Sequence, residues 1–348
     1  MMYNTASISE DCGQQYDLIY LTDMATTRHD VCEASNDASQ LSCFSSHANP
    51  SHEDSFCMAS YMTTNAQKTG LEFACHPANS TPPTFYDYAQ DTGISSILKD
   101  FAKMTLPEVV SPGVNSDASS HTILLKREDP MSLWLSLLEI FSYTTTLDTL
   151  RMTANDLGNP ILSEEESRSV QVMVIDDKPR GPYIGLLHLL SPMPILFAHE
   201  LPEVNTTCFK NVIIPLPGTS NPLLGEAATS CTSSQTLTIF VKRIFGFYHL
   251  AMDRPPSSPI SIVFVDEKGK QRLSDAQKLL TMVKMKFRDV EIKMADFTNM
   301  PFRDQLVMMR DTDILVGLHD TGLANAMFLA PRSTVIEITK RYLFRSSA

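Results

Sequence analysis

The stretch that decides the fold is "ISIVFVDEKGKQRLSDAQKLLTMVKMKFRDVEIKMADFTNMPFRDQLVMMRDTDILVGLHDTGLANAMFLAPRSTVIEI", residues 260–338. Four apolar, β-branched runs alternate in it with three segments whose apolar residues recur at helical spacing. Strands that alternate with helices indicate a parallel, right-handed, doubly wound sheet. A sheet of this kind binds ligands beyond the carboxyl ends of its strands, beside the helices that follow.

A second α/β region precedes this stretch, at residues 84–252. The runs "HTILLKRE", "VQVMVID", "PILFA" and "NVIIPLPG" predict strands, and "SLWLSLLEIFSYTTTLDTLRM" predicts a long helix. The apolar residues 183–198 include Pro192 and Pro194, so we expect two strands with a turn there and not a membrane span. The sequence "DRPPSSP", residues 253–259, is the best candidate linker to the domain at 260–348, since consecutive prolines cannot continue a helix.

Residues 1–83 are polar and carry five of the seven cysteines. Because they lack helical or strand periodicity, we predict an irregular, cysteine-bearing N-terminal cap. We expect disulfides among Cys32, Cys43, Cys57 and Cys75, which allow three pairings. This usage and the sequons at 79–81 and 205–207 favour the secretory pathway, although residues 1–30 show no signal peptide. A cytosolic Rossmann protein that binds nucleotide sugars is the alternative.

The charge balance limits the ligands that the chain can bind. The 348 residues include 28 basic and 40 acidic ones, a formal net charge of −12. An acidic chain gains little from counterion release, which argues against nucleic acid as a partner. The Cys and His spacings do not fit a structural zinc site. The motifs GxGxxG, GxxxxGK[ST], GxSxG and HExxH are absent from the sequence, so the enzyme classes that use them lose support.

Two loops of residues 260–338 could together bind a diphosphate. The loop "DEKGKQR" follows the first strand and supplies Lys268, Lys270 and Arg272. His319 ends a later strand, and the turn after it leads into a short helix whose amino end carries free N–H groups. Cations beside a helix end form a pyrophosphate site. The alternatives are an ordinary βαβ unit and a solvated charged turn.

Of two acidic features in the sequence, one argues against a ligand site and the other is a candidate catalytic residue. Asp311 and Asp313 form a DxD, but they precede a strand and belong to the edge of the sheet away from ligands. Glu139 lies in the middle of the long helix, where a buried carboxylate could act as a base. An exposed helical glutamate is the alternative.

The segment "FRDQLVMMRDTDILVGLHDTGLANAMFLAPRSTVIEI" resembles the signature of glycosyltransferase family 61. In that signature a D/E-Q pair precedes a strand, followed by a His-Gly-Ala-Gly-Leu turn, a short helix and a strand ending in Glu. The upstream segments "HDVCEASNDASQLSCFSS", "DSFCMA", "LLKREDPMSLWLSLLEIFSYTTTLDTLRM" and "FKNVIIPLPGTSNPLL" are similar to the fungal-type branch akin to the EGF-domain-specific O-GlcNAc transferases. The resemblance covers about residues 30–340.

The resemblance implies a GT-B fold of two Rossmann-like domains and an endoplasmic reticulum or Golgi location. It also implies inverting transfer from UDP-N-acetylglucosamine or UDP-xylose to a protein or glycan hydroxyl, without a metal or cofactor. By position, His319, Gly322 and Leu323 match the turn. The resemblance implies a catalytic role for His319 and donor binding by Thr321, Gly322 and Leu323, and Glu337 matches the Glu placed near the donor ribose. Glu139 matches an acidic helix position proposed as the base.

Several departures from the family pattern favour an alternative, a catalytically impaired or truncated paralogue. Asp320 and Thr321 replace Gly-Ala of the turn, Leu135 replaces a His, and the donor loop is less basic than is usual. The chain ends ten residues after Ile338, so we expect the C-terminal domain to be incomplete.

Overall fold

The computed structural model describes residues 17–32, 40–46, 53–64, 70–75, 92–100, 102–105, 121–200, 208–218, 234–254, 259–265, 276–318 and 321–338. The chain divides into two compact units, Met1–Phe240 and Val241–Ala348. The division falls ahead of the linker predicted at 253–259. Within the described residues, no helix combines the length and the apolar character needed to cross a bilayer.

The first unit combines strands with α-helices and 3-10 helices. Its strands are β1 (Arg28–Asp30), β2 (Leu41–Ser46), β3 (Asp54–Thr64), β4 (Leu71–Ala74), β5 (Ala102–Thr105), β6 (Thr122–Leu125), β7 (Gln171–Val174), β8 (Leu196–Phe197) and β9 (Cys208–Ile214). Its helices are α1 (Leu18–Thr26), α2 (Ile94–Asp100), α3 (Leu133–Met152), α4 (Glu164–Ser167) and the 3-10 helices Ile184–Leu189 and Ala198–Glu200, while α5 (Gln235–Phe247) runs across the division.

These strands form one mixed sheet in the order β1-β2-β3-β9-β6-β7-β8, with β4 joined to β3 and β5 joined to β4. The pairs β6–β7, β7–β8 and β6–β9 are parallel, whereas β1–β2, β2–β3 and β3–β9 are antiparallel. The α/β class is therefore confirmed. The parallel sheet expected for residues 84–252 agrees with the pairs among β6, β7, β8 and β9, and β5 pairs in parallel with β4. The antiparallel strands β1, β2 and β3 of the same sheet come from the residues before 84.

The irregular cap predicted for residues 1–83 is wrong, because this region contributes strands β1 to β4 to the sheet. Strands β2 and β3 are rich in Ser, Cys, Thr and Met, and β2 is buried along its whole length, so neither strand shows alternation of polar and apolar residues. The expected disulfides are confirmed, and the structure selects Cys43–Cys57 and Cys32–Cys75 among the three pairings. Cys43 and Cys57 are direct partners across β2 and β3.

The long helix α3 agrees with its prediction. Ser132 caps it, because its Oγ accepts a hydrogen bond from the Leu135 amide at 3.4 Å. Most of α3 is buried, including a run of threonines whose hydroxyls donate to helix carbonyls one turn earlier: Thr144, Thr145, Thr146 and Thr149. These bonds satisfy the hydroxyl donors inside the apolar core.

Residues 183–198 differ from the two strands predicted there. The first half is the 3-10 helix Ile184–Leu189, and only Leu196–Phe197 forms a strand, β8. Leu186, Leu187 and Leu190 are buried. Their spacing places them on one side of a helical turn, so helical burial explains the apolar run without alternation along a strand.

The second unit contains a single described sheet. Its strands are β10 (Ile260–Val265), β11 (Val290–Ala295), β12 (Ile314–Leu318) and β13 (Thr334–Ile338), and its helices are α6 (Ala276–Lys286), α7 (Phe302–Arg310) and the 3-10 helices Phe297–Asn299 and Thr321–Phe328. The strand order is β11-β10-β12-β13, and every pair is parallel. The predicted order of elements is confirmed, except that the last helix is of the 3-10 type.

This strand order contains a topological switch point between β10 and β12. The chain leaves β10 towards β11 on one side and leaves β12 towards β13 on the other. Loops that depart in opposite directions open a crevice at the carboxyl ends of the two strands, and ligands of doubly wound sheets bind there. Val265 and Leu318 are the last residues of these two strands.

Candidate functional site

The switch point lies next to the loops singled out in the sequence. Lys268, Lys270 and Arg272 follow β10 in the chain, and His319 follows β12, although these four residues lie outside the described part of the structure, as does Asp320. Strands β10 and β12 pair in parallel, with Ile262 opposite Ile314. Both strands therefore end at the same edge of the sheet, as the diphosphate hypothesis requires.

The 3-10 helix Thr321–Phe328 begins directly above this edge. Its backbone includes Thr321 and Gly322, whose side chains are outside the description, and Leu323 is partly buried. A Cβ atom added to Gly317 would lie 2.9 Å from Leu323 Cδ2 and 3.4 Å from Val265 Cβ. Leu323 therefore packs over the carboxyl ends of β10 and β12, and the missing side chain at position 317 lets it approach.

Glu337 belongs to the same edge. It is the penultimate residue of β13 and stands opposite Gly317 in the register of β12 and β13. The structure thus brings together Leu323, Gly317 and Glu337 at the carboxyl end of the sheet.

The DxD lies at the opposite edge, as the sequence predicts. Asp313 Oδ2 accepts a hydrogen bond from the Ser261 amide at 2.8 Å and forms an ion pair with Arg254, while Asp311 pairs with Arg310 at 2.8 Å. Partial burial opposes ionisation of Asp313, but the Ser261 amide and the Arg254 guanidinium lower its pKa. Within the described ranges, no group of three or more His, Cys, Asp and Glu side chains could hold a metal ion.

Glu139 is buried in the first unit and is not the exposed helical glutamate of the alternative. Its side chain on α3 is 5% exposed, and Oε1 accepts a hydrogen bond from the Glu128 amide in the loop after β6. A Cβ added to Gly218, after β9, would lie 2.6 Å from Glu139 Cγ. Burial raises the pKa of the Glu139 carboxyl to about 8, against the opposing Glu128 hydrogen bond, because the apolar surroundings disfavour the charged form.

A buried ion pair that the sequence analysis missed lies beside Glu139. Arg127 and Asp176 follow β6 and β7, which are parallel neighbours, and their side chains meet at 2.7 Å. Arg127 also donates to the carbonyls of Lys178 and Arg180 at 2.9 and 3.0 Å. The sequence contained a positional signal, since a charged residue two positions after each of two buried strands predicts a contact at their shared edge.

The outer part of this edge is open and charged. Arg180 forms two hydrogen bonds to the Glu200 carboxylate, at 2.7 and 2.8 Å, and its guanidinium lies 4.1 Å from the centre of the Phe197 ring. Arg180 and Glu200 are both about half exposed. The carboxyl ends of β6 to β9 thus carry a buried carboxyl group, a buried ion pair and an accessible polar rim.

Comparison with known proteins shows a similarity that includes the second sheet. Residues 188–336 match the family model described as Glycosyltransferase 61. This segment, which is less than half of the chain, is similar to glycosyltransferase family 61. The EGF domain-specific O-linked N-acetylglucosamine transferase of Drosophila melanogaster is 25% identical over 174 residues, which are 49% of this chain and 33% of that protein. The chain thus aligns with about a third of this relative's length.

The family 61 match contains β10, β11 and β12 with the switch point between β10 and β12, and it ends at Ile336 within β13. Glu139, Arg127 and Asp176 lie ahead of the matched residues. The resemblance to family 61 seen in the sequence is therefore confirmed, while the fungal-type branch stays a prediction.

Proposed function

We propose that the protein transfers a sugar, N-acetylglucosamine or xylose, from a UDP-sugar to a hydroxyl group of a protein or glycan in the lumen of the secretory pathway. The family 61 match across β10, β11 and β12 supports this proposal, because it includes the sheet edge where a doubly wound fold binds nucleotides. The two disulfides favour an oxidising compartment, the endoplasmic reticulum or the Golgi.

The donor side of the proposed site uses the crevice between β10 and β12. Lys268, Lys270 and Arg272 would neutralise the diphosphate, and the backbone N–H groups at the start of the 3-10 helix would bind it. Cations and a helix end stabilise the leaving UDP in the way that a metal does in other transferases. The proposed transfer is therefore independent of a metal and of any cofactor.

Glu139 is the proposed base on the acceptor side. In an inverting transfer, a base removes the proton of the acceptor hydroxyl as that oxygen attacks the sugar. With a pKa of about 8, Glu139 is mostly protonated at neutral pH, and its carboxylate fraction rises as the pH approaches 8. We therefore expect the transfer rate to increase from pH 6 to pH 8. A GT-B arrangement of two Rossmann-like domains is part of the same proposal.

The alternative is a chain that has lost transfer activity. Asp320 stands in the turn where the family carries Gly, so it puts a negative charge near the diphosphate. At about 5 Å and an effective dielectric constant near 20, each phosphate charge would be repelled by roughly 3 kcal/mol. Such repulsion would weaken donor binding on the order of a hundredfold.

Calorimetry with UDP and UDP-N-acetylglucosamine separates the two possibilities. The wild type is compared with an Asp320→Gly, Thr321→Ala variant, which restores the family turn. Asp289→Asn is the matched control, because it removes an exposed negative charge just before β11, at the other edge of the same sheet. Binding by the wild type supports transfer, and binding only after restoration supports the impaired protein. No UDP binding by either form would refute the donor site.

A further inference from the structure

Two buried amide side chains connect the 3-10 helix Thr321–Phe328 to the rest of the second unit. Gln305 lies on α7 and Asn325 on the 3-10 helix, and they are 1% and 0% exposed. Asn325 Nδ2 donates a hydrogen bond to Gln305 Oε1 at 3.0 Å. The two elements that flank β12 are thus joined by a direct side-chain bond.

Gln305 makes further bonds on its other side. Its Nε2 donates to the carbonyls of Phe297 and Met300, at 3.3 and 2.8 Å, in the connection between β11 and α7. One amide group therefore ties together three segments: this connection, α7 and the 3-10 helix. All donors and the acceptor of the Gln305 side chain are in use, so the orientation of its amide is fixed.

The Asn325 side chain, in contrast, forms a hydrogen bond only through its nitrogen. Its Oδ1 atom is buried and has no hydrogen-bond partner in the structure described here. A buried acceptor without a partner costs at least as much free energy as one neutral hydrogen bond contributes. A leucine of similar shape would remove this unpaired oxygen, but it would also remove the donor to Gln305 Oε1, which would then be the unpaired acceptor. Asn325→Leu should therefore lose the stability of about one hydrogen bond, together with the direction that this bond gives to the 3-10 helix.

The orientation of this helix decides where its first N–H groups point. It starts three residues after β12 ends, and Leu323 rests on Gly317 at the carboxyl edge. Phe328 fixes the far end by edge contacts with Phe302 and Phe245 at 5.6 and 6.2 Å between ring centres. These apolar contacts have no directional requirement, whereas the hydrogen bond from Asn325 to Gln305 requires one orientation of the amide and of the helical turn that carries it.

We propose that Gln305 and Asn325 are a positioning pair, which aims the amino-terminal N–H groups of the 3-10 helix at the diphosphate of the donor. The inference rests on the proposed function, because it concerns how the same crevice holds UDP. Neither residue contacts the donor. Their effect passes through the helix that carries Thr321, Gly322 and Leu323.

The first test needs no ligand. In Asn325→Leu, amide hydrogen exchange of residues 321–329 should accelerate about tenfold, while the melting temperature stays within a few degrees of the wild type. Thr312→Val is the matched control. Thr312 is equally buried and donates to the Met308 carbonyl at 2.7 Å, but it lies at the opposite end of β12. The control should leave exchange of residues 321–329 unchanged.

The second test compares UDP with uridine, which lacks the phosphates. Asn325→Leu should weaken UDP binding about tenfold, the effect of one misdirected hydrogen bond, and change uridine binding less than twofold. A purely structural role would weaken both ligands alike and would contradict positioning. Equal exchange and equal UDP affinity in wild type and variant would overturn the inference alone. A wild type that fails to bind UDP would refute the donor site and, with it, this inference.

Discussion

Replacing the buried Glu139 by glutamine should remove a large pH dependence from the stability of the protein. In the folded state its pKa is about 8, against an ordinary value of 4.5. Between these values the folded protein holds a proton that the unfolded chain releases. This contribution to stability is complete below pH 4.5 and is lost as the pH rises through 8, at about 1.4 kcal/mol per pH unit.

The magnitude over an accessible range follows from that slope. From pH 5 to pH 7.5 the wild type should lose about 3 kcal/mol of unfolding free energy through this group. Glu139→Gln keeps the oxygen that accepts the Glu128 hydrogen bond but cannot ionise. We therefore expect the variant to match the wild type near pH 5 and to exceed its stability near pH 7.5.

Urea denaturation at several pH values measures the difference. The chain has a single tryptophan, Trp134, which lies on α3 with Glu139, so its fluorescence reports unfolding of the first unit. Glu165→Gln removes an exposed carboxyl group from α4 and serves as the control, with no change in slope expected. A constant difference between the unfolding free energies of the wild type and Glu139→Gln from pH 5 to pH 7.5 would refute the reasoning about burial.

Three further changes test other contacts. Arg127→Met leaves the buried Asp176 carboxylate without its partner and should destabilise the first unit by about 3–5 kcal/mol in urea denaturation, whereas a loss below 1 kcal/mol would contradict the burial of the pair. Cys43→Ser opens the Cys43–Cys57 bridge, which spans 14 residues, and should cost about 3 kcal/mol; an unchanged thermal midpoint under non-reducing conditions would argue against the bridge. Asp17 accepts hydrogen bonds from the Gln235 and Thr236 amides at the start of α5. Asp17→Ala should therefore lower the free energy of unfolding by about 1 kcal/mol and Asp17→Asn by less, whereas equal losses would contradict a stabilising role of these hydrogen bonds.

The sequence by itself determined the parallel sheet of residues 260–338. Its strands are apolar, β-branched runs that alternate with helical segments, and this alternation is typical of a parallel sheet with crossover helices. The sequence also predicted that the DxD lies at the amino-terminal edge of this sheet. Asp311 and Asp313 precede β12, and all strands of a parallel sheet begin at the same edge.

Only the tertiary structure decided the disulfide pairing, the strands of the cysteine-bearing region and the burial of Glu139. The pairing of Cys43 with Cys57 depends on the antiparallel register of β2 and β3, which local periodicity does not contain. Glu139 is buried because two loops pack on one face of α3: the loop after β6, which directly precedes the helix, and the loop after β9, which is distant in sequence. Contacts between segments far apart in the chain set these features, whereas periodicity records only which face of each element is apolar.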